Sequence, residues 1–180
     1  HAHPNGGIMN IDVLSFDRLA YRVFEEVGKD KRTVLDDEGK RLILRKLASK
    51  NEKEYTVLKG NLKKPGYISE LNSVLSEFMQ YDISPEQIET VLKDIPSESY
   101  LYYKLKDLRH LYQSFNDYLE DKYITKQEVL DLLNHAVSKS ELLKNSVIAF
   151  DCFTGFTPVQ VRVLTSLMKY ADKIMITVEM

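Results

Sequence analysis

The residues best placed to do chemistry lie late in the chain. The apolar run Val147-Ile148-Ala149-Phe150 ends in Asp151-Cys152-Phe153, and Phe156-Thr157-Pro158 follows closely. A short continuous apolar run bounded by polar residues suits a strand buried on both faces. A carboxylate at the carboxyl end of such a strand stands where open parallel sheets take their ligands. Asp151 there can hold magnesium directly or through water. The plainer alternative is an Asp that caps the loop after the strand. The next position, where a Glu would position an attacking water, is Cys152. Losing a positioned base lowers a rate by roughly 10²–10⁴. A reactive thiol needs a base and an electropositive setting, and no His adjoins Cys152 in sequence. Cys152 is therefore expected to be a small, mostly buried residue.

A phosphate cradle to accompany that carboxylate is missing from the sequence. It contains neither G-x-x-x-x-G-K-[ST] nor G-x-G-x-x-G, and Gly6-Gly7 is a terminal pair. The chain alone is not expected to hydrolyse a nucleotide. His1 and His3 are terminal, while His110 and His135 read as surface positions on helices. One Cys and four scattered His lack the ligand spacing of a zinc cluster. Tyr100, Tyr102, Tyr103, Tyr112, Tyr118 and Tyr123 mingle with Lys104, Lys106 and Arg109. Such a mixture can stack on single-stranded bases; the alternative is rings packed between helices with hydroxyls at the surface.

The elements that would position these residues fall at the two ends of the chain. Ile11 to Ser15 reads as a strand. A helix follows with Leu19, Ala20, Val23, Phe24 and Val27 at helical spacing, capped by Ser15 or Asp17 and ended by Gly28. The middle is almost wholly helical. Asp36-Asp37 opens one helix, another follows Pro65, and Ser84-Pro85-Glu86-Gln87 is a strong start signal. The longest helix is expected from about Glu98 to Tyr118, and Thr125 caps the next. Near residue 146 the period changes to that of a strand. Thr157-Pro158 then opens a helix with Val161, Leu164, Leu167 and Met168, and Lys173 to Val178 reads as a second buried strand. Strand, helix, strand at this length is a βαβ unit with parallel strands. The simplest account is an α/β sheet interrupted by a large all-helical insertion, with pieces at 1–28, 29–143 and 144–180. The alternative is an all-helical domain with a small accessory sheet.

The totals agree with a soluble globular domain: 180 residues, 43% hydrophobic, 29% charged, net charge −2. No run approaches the roughly 20 apolar residues of a membrane span, and one Cys suits a reducing cytoplasm. Charge is uneven. Lys29 to Lys64 holds twelve Lys/Arg against six Asp/Glu, and Pro65 to Ser99 one Lys against seven Asp/Glu. The basic stretch could face nucleic-acid phosphates; the alternative is two solvated helical faces of opposite sign. The chain opens His1-Ala2-His3 without Met, so residues 1–7 read as a tag or disordered end, or a cut from something longer.

The order of these pieces resembles the first motor domain of superfamily 1 DNA helicases, most closely the AddB-type subunit of the bacterial ATP-dependent helicase/deoxyribonuclease. Leu14-Ser15-Phe16-Asp17-Arg18-Leu19-Ala20 is similar to that family's "SFxRLA" segment. Asp151-Cys152-Phe153 with Phe156-Thr157-Pro158 is similar to its "DGFxxFxPxE" version of the magnesium motif, which reads "DEFQDT" in active helicases. The resemblance implies a partial RecA-like (P-loop NTPase) parallel sheet. It places Ser15, Phe16 and Arg18 beside DNA and Asp151 at a magnesium position in the longer protein. It further implies ATP, magnesium and an iron–sulfur cluster for that longer protein, a helicase–nuclease partner subunit, and a cytoplasmic role in recombinational repair of double-strand breaks. Asp17 stands where active helicases carry His, and Cys152 where they carry the catalytic Glu. The expected role is thus DNA contact without catalysis. An active superfamily 1 ATPase fragment and a helical protein-interaction module are the alternatives. A sheet cut from its neighbours is expected to self-associate through its open edge.

Overall fold

Polar side chains begin six of the helices by accepting a backbone amide three residues on, which satisfies a donor the helix itself cannot. Ser15 accepts from Arg18, Asp36 from Gly39, Ser84 from Gln87, Ser99 from Tyr102, Thr125 from Glu128 and Thr157 from Gln160. At Ser84, Thr125 and Thr157 the third helical residue returns the bond through its own side chain, closing a capping box. The computed structural model describes residues 11–28, 30, 32–64 and 66–178. Over these, the helices are α1 (Phe16–Val27), α2 (Asp37–Lys50), α3 (Tyr67–Gln80), α4 (Pro85–Leu92), α5 (Tyr100–Leu119), α6 (Lys126–Ala136) and α7 (Pro158–Tyr170). Gly28 ends α1 with φ 107°, a conformation open to a residue without a side chain.

Two pairs of parallel strands complete the fold. β1 (Thr33–Val34) lies beside β2 (Tyr123–Ile124), and β3 (Val147–Phe153) beside β4 (Lys173–Val178). α7 makes the crossover from β3 to β4, so the βαβ unit read from the sequence is present. Neither of its strands is buried on both faces, contrary to expectation. Along β3, Val147, Ala149 and Asp151 point outward and are exposed, while Ile148 and Phe150 point into the core. Helices cover one face of this pair, and strand side chains alternate between faces. Ile11–Ser15 also departs from expectation. It forms no strand, and Val13 is 89% exposed. A strand exists only with a hydrogen-bonded neighbour, and none among the described residues pairs with it.

The apolar residues gather in two cores. The first joins α2, α3, α4 and α5 around Leu44, Leu58, Leu75, Leu111 and Phe115. The second joins α1, α6, α7 and β3 around Val23, Leu133, Val163, Leu167 and Phe150. The sequence grouping put α6 with the helices before it; in space α6 lies with α1 and α7. The short β1–β2 pair is the seam. Leu35 and Tyr123 face the first core, Val34 and Ile124 the second, as strand alternation requires. A fork spans the same junction. Arg162 on α7 donates to Asp82 after α3 (2.7 Å) and to Asp131 on α6 (2.9 Å). Glu26 near the end of α1 accepts from the Ser140 hydroxyl and from the amides of Glu141 and Leu142, which holds its carboxyl below the usual range. No helix among the described residues is long and apolar enough to cross a membrane.

Candidate functional site at the end of β3

The register of β3 on β4 builds the site. Phe150 lies opposite Ile176 and Phe153 opposite Val178. Two residues of β3, Asp151 and Cys152, therefore face the single Thr177. That is a β-bulge, which re-aims the side chains it carries. Cys152 takes φ 61°, the left-handed region, and its side chain is exposed. The sequence expectation of a mostly buried Cys152 is thus corrected: the extra residue in the strand turns the thiol outward. A side chain in that conformation costs roughly 1–2 kcal/mol relative to Gly, and Gly stands at this place in the motif that the segment resembles. Cys152→Gly should therefore raise stability by about 0.5–1 kcal/mol, the gain being trimmed by the entropy Gly loses on folding. Urea denaturation of both proteins measures it; a destabilised variant would show that the bulge depends on the thiol.

Asp151 is exposed on the outer face, and the Thr177 hydroxyl donates to its carboxylate. That bond, aided by the amide and thiol of Cys152, pulls the carboxyl below the usual Asp range. A depressed pKa means that the favourable contribution is present above the unfolded-state pKa and is lost as pH falls through the folded-state one. Asp151 therefore stays ionised through the neutral range. As a magnesium site the donor set is partial. One carboxylate and one adjoining hydroxyl suit an ion that keeps most of its water and shares a nucleotide phosphate. No group of three His, Cys, Asp or Glu able to hold a metal occurs among the described residues.

Four phenylalanines tie this strand end to the start of α1. Phe16 stacks on Phe150 at 5.6 Å and meets Phe153 edge-on at 5.8 Å. Phe153 stacks on Phe156 at 4.9 Å, and Phe150 meets Phe156 edge-on at 6.1 Å. Such pairs add about 0.5–1.5 kcal/mol each beyond their burial. Hence Ser15, Phe16 and Arg18 have three different situations. Phe16 is half-buried in the cluster, Ser15 caps α1, and Arg18 is exposed on its surface. The two sequence segments singled out for chemistry meet here, Phe16 and Phe150 being 134 positions apart in numbering yet in ring contact.

The remaining candidates are dispersed. His110 lies 3.3 Å from Glu54 and edge-on to Tyr55, and His135 is exposed; His1, His3 and Gly6-Gly7 lie outside the described residues. Burial pushes the Tyr112 hydroxyl up to about 12. Lys46 and Lys122 sit over the Tyr118 ring at 5.1 and 5.7 Å, and Arg109 pairs with Glu89. Much of the aromatic and basic mixture is therefore spent on packing, leaving Tyr100, Lys104 and Lys106 exposed. Thr177 and Arg162 escaped sequence reading. Thr177 matters only through the strand register, and Arg162 looks like any polar position on an amphipathic helix.

The arrangement is thus a helical body with a βαβ unit, an ionised Asp near the bulged carboxyl end of its first strand, and that end packed against the start of α1. The family profile "ADDB, N-terminal" matches residues 1–180. The chain is 40% identical over 178 residues to an ATP-dependent helicase/deoxyribonuclease subunit of Lachnoclostridium phytofermentans, covering 99% of this chain and 16% of that protein. Proteins of the same name from Alkaliphilus metalliredigens and Bacillus pumilus are 38% and 31% identical over 174 residues, covering 97% and 94% of this chain and 15% of each relative. The chain belongs to the ADDB N-terminal family. It spans about a sixth of the length of these relatives.

Proposed function

We propose that this chain is a non-catalytic, motor-like region of an ATP-dependent helicase/exonuclease subunit that acts in double-strand break repair and recombination. It contributes DNA contact and not ATP hydrolysis. In this reading β3 and β4 belong to a RecA-like parallel sheet, the helices between α1 and β3 form its insertion, and a helicase–nuclease subunit is the partner in the cytoplasm. ATP, magnesium and any iron–sulfur cluster belong to the longer protein; there, Asp151 with Thr177 lies at the magnesium edge. Ser15 and Arg18 stand at the mouth of the same strand end, with Phe16 as their anchor.

The observation that carries the reading is Cys152. It follows the ionised Asp151 and is turned outward, and a thiol there cannot act as Glu would to position a water. In the full-length protein, assayed with a partner whose own motor site has been inactivated, Asp151→Asn and Cys152→Ala should leave DNA-dependent ATP turnover within about twofold of the same complex without them. A fall on the order of 10² or more in either variant would mark a working hydrolytic site. That result would favour the second reading, an active superfamily 1 ATPase, for which the ionised Asp151 at a parallel strand's end is the supporting observation.

A further inference from the structure

The cations between residues 29 and 64 have different surroundings in the folded chain, and Lys50, Lys53 and Lys59 are exposed with no ion pair among the described residues. Several members are occupied. Arg32 pairs with Asp30, Arg41 with Glu38, and Lys46 covers the Tyr118 ring. Lys40 is buried between Asp37 (2.7 Å) and the Ser76 hydroxyl (3.0 Å). Arg45, Lys63 and Lys64 have no ion pair among the described residues. These three, with Arg41, line one groove of about 590 Å³ between α2 and the segment leading into α3. Glu38 is the one acid on its walls, and it is already joined to Arg41.

We propose that this groove holds the sugar–phosphate backbone of single-stranded DNA, with Arg41 and Arg45 on one bank and Lys63 and Lys64 on the other. The inference rests on the DNA-contact reading above and assigns it a place distinct from Ser15 and Arg18. Charge alone would suit any polyanion; the shape selects the strand. Arg41 and Arg45 are one helical turn apart, about 5–6 Å between Cβ atoms, a step that neighbouring phosphates of an extended strand can follow. A concavity of this volume is of small-ligand size and takes a nucleotide or two. A duplex, whose major groove alone is about 12 Å wide, would rest on the rim. Leu42 lies between the arginines in the wall and is 66% exposed, an apolar surface for a sugar or an unstacked base. On the opposite bank α3 starts at Gly66 (φ 83°) with no side-chain cap, so the positive end of that helix adds to the same wall.

The test is fluorescence anisotropy of the 180-residue chain with a labelled oligothymidylate and with a duplex of equal length, between about 50 and 200 mM salt. Each phosphate contact on a single strand contributes a slope of about −0.7 in log affinity against log salt. Arg45→Glu with Lys63→Glu and Lys64→Glu should weaken single-strand binding more than about tenfold at the low-salt end and flatten the slope by about 2. Arg45→Gln with Lys63→Gln and Lys64→Gln should do the same more mildly. Lys139→Glu with Lys169→Glu, both exposed and outside the groove's lining, should bind as the unaltered chain does. Thermal melts by circular dichroism verify that each variant is folded. Groove variants that keep the original slope, or a control that loses as much, would overturn the groove and leave the DNA-contact reading standing. Tighter binding of duplex than of single strand would overturn the strand assignment. An unaltered chain that binds neither at low salt would remove the groove and the DNA-contact reading together.

Discussion

Asp107→Ala will destabilise the chain by about 3 kcal/mol, lowering its thermal midpoint by roughly 6–12 °C for a chain of this size. Asp107 lies on α5 and is 3% exposed. Its carboxylate accepts from the amides of Thr56 (2.9 Å), Val57 (2.6 Å) and Leu58 (3.0 Å), about fifty positions away. Bonds to a charged acceptor contribute about 1.5–3 kcal/mol each, and a buried donor left unpaired costs about 1–3 kcal/mol. The Leu58 amide is buried, while Thr56 is exposed and water can replace its lost partner, which brings the total below the simple sum over three bonds. Asp107→Asn, with one neutral acceptor oxygen, should cost about half as much. Chemical denaturation of the three proteins measures the series. A loss under about 1 kcal/mol for the Ala variant would mean that Tyr55 and Leu58 hold the loop by packing alone. The same loop leads to Leu62, Lys63 and Lys64, so Asp107 also positions the far bank of the basic groove.

Phe150→Ala should cost about 3–5 kcal/mol, the range for removing a buried aromatic ring. Phe150 is 7% exposed and touches Phe16, Phe153 and Phe156. Its removal takes out three ring pairs as well as burial. Phe150→Leu fills part of the space and should cost about 1–2 kcal/mol. A local consequence distinguishes this from ordinary core damage. With Phe16 unseated, the first turn of α1 loses its tertiary anchor, and amide exchange at Leu19 and Ala20 should quicken more than at Leu133 in the same core. Equal acceleration at all three would show that the cluster is a generic piece of core and does not hold the strand end to α1.

Local chemistry was readable in the sequence, and non-local chemistry was not. Ser15, Ser84, Thr125 and Thr157 announce their helices because a cap needs only the next three residues. The βαβ unit was legible for a similar reason: its period changes within a few dozen residues. β1 and β2 were not, since two-residue strands exist only through pairing across about ninety positions. Asp151 at a strand end could be read from the run before it. The exposure of Cys152 could not, because the bulge arises from the register with Thr177. The strand expected at Ile11–Ser15 has apolar residues of the right kind and no described neighbour to pair with. The excess of Lys and Arg was visible as composition. That four of these cations line one groove was not, because α2 and the Lys63–Lys64 segment meet only in the fold.

The junction between the two cores gives the molecule a mechanical character. Between the two run the four residues of β1 and β2 and the Arg162–Asp82 pair, while the other arm of Arg162 holds Asp131 within the second body. The buried apolar residues belong to one core or the other, so this joint is the natural place for one body to rock on the other. The fork is half-exposed, and dissolved ions weaken such pairs more than they weaken either packed interior. The basic groove sits on one body and the end of β3 on the other. The stiffness with which a load on the groove reaches that strand end therefore varies with ionic strength, as in a hinge whose pin is made of charge.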